Sequence, residues 1–167
     1  MKATPRPRSC ALLVSIVIPA VLAVSAASAE RLTEPQARAI VAPFYAALSA
    51  GADVPALLGR ATTPSWMSCG GNDDCRPLDS VVGSVTGLQK SVPDLKWEIK
   101  DVLVAGDRII VRGEATGTPS GDFSGVAYGG KSFRIMSIDV HAIEGGKIAR
   151  SYHLEDWRGA ARQLAAR

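Results

Sequence analysis

The residues of this chain most able to do chemistry gather in one stretch, residues 137–156, which holds both histidines of the protein, His141 and His153, and several carboxylates. The stretch reads as two β-strands joined at Gly145-Gly146. Strand side chains alternate faces with period two, so the length of the loop decides which of these groups meet. A three-residue loop, Glu144-Gly145-Gly146, with Gly146 in the left-handed conformation, pairs Ile143 with Lys147 and puts Asp139 and His153 on one face. They are then diagonal neighbours, roughly 7 to 8 Å apart at Cα, with Ser137, His141 and Ser151 beside them. A two-residue Gly145-Gly146 loop sends them to opposite faces instead.

An imidazole oriented by a carboxylate can take a proton from a carbon acid near neutral pH, so His153 and Asp139 form the candidate catalytic pair. The competing reading is a solvent-facing stripe, Ser137, Asp139 and His141, opposite an apolar stripe, Met136, Ile138 and Val140, that faces the core. Phe44, Tyr45, Trp66 and Trp97 are candidates to line a pocket for a flat, ring-bearing ligand, although core packing is the commoner use of such aromatics. His141 and Asp156 complete the candidate pocket. Asp156 has a structural alternative, because it stands where the last strand meets a terminal helix and can cap it.

The elements that must hold these groups follow from periodicity. Residues 33–50 have helical spacing, with Thr33 and Gln36 as a capping pair and Pro43 as an expected kink. A second short helix starts at Asp53-Val54-Pro55 and is expected to end at Gly59. A third amphipathic stretch covers residues 78–92. From Pro93 the period becomes two, giving strands near 95–104, 108–118, 131–143 and 147–156, before a helix over 157–166. Helices followed by a long antiparallel meander make an α+β layout.

Residues 1–29 read as a secretory signal. Lys2, Arg6 and Arg8 form a basic region, residues 11–24 an apolar one, and Ala27-Ser28-Ala29 a cleavage site before Glu30. The apolar run is too short for a comfortable membrane span, so no stable membrane anchor is expected once it is removed. Residues 30–167 then form one domain with 16 basic and 16 acidic residues, and no basic footprint for nucleic acid remains. The expected location is secreted or periplasmic. In that oxidising setting Cys69 and Cys75, around a Gly-rich acidic loop, read as a disulfide. A metal site is disfavoured, because no further cysteine and no C-x-x-C spacing accompanies them.

Several short segments in order resemble the SnoaL-like polyketide cyclases of the nuclear transport factor 2-like, or cystatin-like cone, superfamily. They are Pro93-Asp94-Leu95, Val102-Leu103-Val104-Ala105-Gly106-Asp107-Arg108, Gly117-Thr118, Gly121-Asp122-Phe123-Ser124-Gly125, Ile138-Asp139-Val140, Gly146-Lys147-Ile148, and Asp156 followed by Gln163-Leu164. The N-terminal half matches in outline, through Phe44-Tyr45 and Pro64-Ser65-Trp66. The resemblance implies a cone-shaped roll, a curved antiparallel sheet wrapped around the N-terminal helix with further short helices, an apolar pocket, and a homodimer formed through the sheet. It also implies an acid/base aspartate on the last strand facing a histidine on the strand before. Here His153 falls at that aspartate's position and Asp139 at the histidine's, so the two chemical types are exchanged.

Two functions follow as expectations. One is an exported ester cyclase or isomerase that moves a proton α to a carbonyl without metal or cofactor. The other is a non-catalytic module of the same fold that binds a small apolar ligand or a partner. Epoxide hydrolysis of the limonene type ranks lower, since the arginine it needs two residues before Asp139 is Ser137.

Overall fold

The computed structural model describes residues 32–166, and the expected secretory signal lies outside them. A reciprocal cap between Thr33 and Gln36 starts helix α1 (Glu34–Leu48), which continues through Pro43. Helix α2 (Val54–Ala61) is capped by Asp53 and runs past Gly59, where the sequence predicts its end. Burial of Leu58 and Ala61 outweighs the modest helical penalty of one glycine, and the Thr62 hydroxyl bonds the Leu58 carbonyl at 2.8 Å to close the last turn.

Two short strands follow that the sequence does not announce, β1 (Thr62–Cys69) and β2 (Cys75–Pro77). Helix α3 (Leu78–Ser91) then precedes the expected meander of β3 (Lys96–Ala105), β4 (Arg108–Gly117), β5 (Phe133–Glu144) and β6 (Lys147–Glu155), and α4 (Trp157–Ala165) closes the chain. The six strands form one sheet in the order β2-β1-β6-β5-β4-β3. It is not wholly antiparallel as expected, because β1 pairs with β6 in parallel. That register shifts between Thr62 and Met67, and Pro64, which has no amide to donate, falls inside the irregular stretch.

The sheet curves around α1. A bulge at Lys100 bends β3, where Ile99 opposes Gly113 but Asp101 opposes Arg112. Ile109, Val111 and Ala115 of β4, Ile135 of β5 and Ile148 of β6 face Ala37, Val41 and Phe44 of α1 in the core. The result is the expected α+β cone.

Candidate functional site

Gly145 and Gly146 both have positive φ, 56° and 75°, and Glu144 opposes Lys147 directly. The loop is therefore the two-residue turn that the twist of a hairpin favours, not the three-residue loop expected. Taken alone, that turn would send Asp139 and His153 to opposite faces. The phase is restored a few residues on: Ile143 opposes Ile148 but Ala142 opposes Arg150, which leaves Ala149 as an extra, bulged residue. Asp139 consequently stands directly across from His153, His141 across from Ser151, and Ser137 across from Glu155.

These groups line the concave face. Ser137, Asp139, His141 and Ser151 are all buried, whereas Met136 and Ile138 are 52% and 40% exposed. The solvent-facing polar stripe considered from sequence is thus inverted, with polar groups inward and apolar ones outward.

Above Asp139 and His153 opens a cleft of about 230 Å³. Phe44 and Leu48 from α1, Val85 and Leu88 from α3, and Trp97 and Trp157 form its apolar walls, while Asp139, His153, Glu155 and Arg76 form its polar part. His153 is oriented by Glu155, not by Asp139: Nδ1 lies 2.8 Å from Glu155 Oε1, and both side chains are largely buried. His153 Nε2 is buried and has no hydrogen-bond partner among the described residues, and the same holds for Trp97 Nε1. The hydrogen bond to Glu155 raises the His153 pKa above the usual histidine range, against burial, which lowers it. Burial pushes the Asp139 carboxyl up to about 6; hydrogen bonding with Tyr45 opposes this and the charge of Glu155 adds to it.

Behind the cleft runs a buried polar chain. Trp66 Nε1 donates to Ser151 Oγ at 3.0 Å, Ser151 Oγ lies 2.9 Å from His141 Nδ1, and His141 Nε2 lies 3.1 Å from the Tyr45 hydroxyl. Proton counting sets its direction. Trp66 can only donate, and of the two tautomers of a neutral His141 the one protonated at Nε2 gives every proton of the chain an acceptor: Ser151 donates to Nδ1 and Nε2–H donates to Tyr45. The Tyr45 proton is left for Asp139, which also accepts from Ser137 Oγ at 3.2 Å. Burial pushes His141 down to about 3, and burial together with the Asp139 charge holds the Tyr45 hydroxyl well above the usual phenol range.

Of the six residues expected in the pocket, Phe44 and Trp97 line the cleft. Tyr45, Trp66 and His141 lie behind it in the buried chain. Asp156 is outside the cleft, because its carboxylate accepts from the Gly159 amide at 2.7 Å and caps α4. Sequence reasoning missed Glu155, Arg76, Trp157 and Gly113. The signal for Glu155 was its spacing, two residues from His153 on one strand face. Gly113 has a steric reason: a Cβ there would lie 2.5 Å from Ser137 Oγ and 3.0 Å from Trp97 Nε1, so only glycine leaves room for both groups. Cys69 and Cys75 are joined by a disulfide, and the next register pair is Ser68 with Arg76. The bond thereby fixes the ribbon that carries Arg76 to the cleft. Among the described residues no three His, Cys, Asp or Glu side chains are placed to hold a metal ion, and no helix is long and apolar enough to cross a membrane.

A family model described as SnoaL-like polyketide cyclase matches residues 39–164. The chain belongs to this family. Among solved structures, TsrD from Streptomyces laurentii is 25% identical, with a TM-score of 0.69 over 81% of this chain and 99% of that one. IdmH from Streptomyces antibioticus is 24% identical, with a TM-score of 0.68 over 78% and 99%. A SnoaL-like polyketide cyclase from Agrobacterium tumefaciens is 19% identical, with a TM-score of 0.63 over 77% and 98%. These likenesses share the SnoaL-like fold along nearly the whole of each neighbour. No curated protein matches by sequence.

Proposed function

We propose that this SnoaL-like protein is an exported enzyme that moves a proton α to the carbonyl of a small ring-bearing molecule, without a cofactor. The observation that carries the reading is the unpartnered Nε2 of His153, a side chain held by Glu155 through Nδ1 that lines the apolar cleft beside Asp139. Above about pH 6 the Asp139 carboxyl is ionised and can accept the α-proton. The raised pKa of His153 favours the imidazolium, whose Nε2–H can donate to the carbonyl oxygen as it gains enolate charge. Trp97 Nε1–H is a second donor. Return of the proton to another carbon completes an isomerisation; in a molecule with a second carbonyl the enolate carbon attacks that carbonyl instead and the proton goes to the resulting alkoxide, which closes a ring, and the apolar walls keep water from competing.

Export is supported by the basic, apolar and Ala27-Ser28-Ala29 segments ahead of Glu30 and by the disulfide. Material recovered from the periplasm or medium is expected to begin at Glu30, and a full-length chain retained in the cytoplasm would argue against export. Assembly as a homodimer is supported by the exposed apolar residues of the outer sheet face.

The catalytic reading is tested with 2-tetralone in D2O, following α-deuteration by NMR. The protein is expected to accelerate exchange over buffer, and His153→Gln and Asp139→Asn are each expected to lower that acceleration by about 100-fold. Exchange at the buffer rate, or unchanged by both substitutions, would overturn it.

A further inference from the structure

Arg76 lines the cleft with its charge uncompensated. Its Nη1 donates to Ser84 Oγ at 3.1 Å, and the Ser84 hydroxyl is itself turned to the Ser80 carbonyl at 3.1 Å. This bond aims the guanidinium without neutralising it. Among the described residues no carboxylate forms an ion pair with Arg76. The two carboxylates of the cleft are engaged elsewhere, Glu155 with His153 and Asp139 with Ser137. Arg76 is half-buried and stands one register pair from the Cys69–Cys75 bond, so its backbone is held in place.

A guanidinium presents a rigid fork of N–H groups that matches a carboxylate, and its attraction strengthens where apolar walls exclude water. Val81, Val85 and Leu88 of α3 supply such walls within the same cleft. We propose that Arg76 binds a carboxylate carried by the substrate, so that the cleft takes ring-bearing carboxylic acids in preference to their neutral esters. The proposal rests on the reading of this cleft as the substrate site, and it assigns the class of molecule that enters.

Isothermal titration calorimetry with 2-naphthoate and methyl 2-naphthoate at pH 8 separates the two. The protein is expected to bind the acid about tenfold or more tightly than the ester. Arg76→Gln should remove that preference by weakening acid binding alone, with an unchanged melting temperature to exclude misfolding. Equal affinities in the wild type, a preference that survives Arg76→Gln, or no binding of either compound would overturn the assignment. Because this readout is binding, it fails separately from the catalytic reading. If the wild type shows no preference, or Arg76→Gln keeps it, while exchange of 2-tetralone still depends on His153, the acid class alone falls. If the preference holds without exchange, Arg76 keeps its role and the catalytic reading falls.

Discussion

Asp139 is a carboxyl group that the fold would keep neutral and the proposed chemistry needs ionised. Its folded pKa of about 6 lies above the usual aspartate value, so the native state holds this proton longer than the unfolded chain does. Its effect on stability is therefore absent below the unfolded pKa, grows as pH rises through the interval up to about 6, and is a full cost above it. Asp139→Asn is expected to stabilise the protein at pH 8 by about 2 kcal/mol and to lose that advantage by pH 4. Equal melting temperatures of variant and wild type at pH 8 would contradict this. His141 acts in the opposite sense, since its depressed pKa costs stability as pH falls below the usual histidine range toward about 3. At this scale the sequence made Asp139, His153 and Phe44 legible as candidates by residue type, whereas the shared face of Asp139 and His153 was expected from a three-residue loop and is produced instead by the bulge at Ala149. It did not reveal that Glu155, and not Asp139, takes His153 Nδ1, because that choice depends on side-chain directions across a curved strand.

The hairpin of β5 and β6 depends on compensation between two elements, a tight Gly145-Gly146 turn and a bulge at Ala149. The turn was legible in the sequence as a glycine pair between strands. The bulge was not, because nothing in Lys147-Ile148-Ala149-Arg150 marks an extra residue; the pairing of β6 with β1 on its other edge is irregular over the same stretch, a non-local feature that no local pattern announces. Strands β1 and β2 were missed for the same physical reason. They are short or proline-bearing, and their pairing is non-local. By contrast α1, α3, α4 and the four-strand meander carry their own periodicity and stood out. Deleting Ala149 removes the bulge and shifts β6 by one residue beyond the turn, which turns His153 outward. That deletion variant is expected to lose at least about 100-fold in 2-tetralone exchange. Full activity in a folded deletion variant would show that the bulge does not set the site.

Across the whole molecule the sheet is polar on part of its inner face, and its outer face carries large apolar residues beside ion pairs such as Asp101–Arg112 and Glu114–Arg134. Leu103, Met136, Ile138, Tyr152 and Leu154 are all exposed there, a pattern expected of a surface that a second copy covers. Leu154, 70% exposed, tests this: wild-type protein should sediment as a dimer, and Leu154→Glu should weaken association at least about tenfold. A monomeric wild type at high concentration would contradict it. The family and the cone were legible from ordered motifs along the chain, whereas this inversion of faces was not, since an alternating strand does not say which side the core takes. The central claim, that Glu155 holds His153 Nδ1 and leaves Nε2 without a protein partner, can be measured directly because the protein has two histidines. Long-range proton–nitrogen NMR across a pH titration should show His153 with Nδ1 protonated throughout and titrating above the usual histidine pKa, while His141 stays neutral until far lower pH. A neutral His153 carrying its proton on Nε2, or titrating at or below about 6.5, would contradict the account.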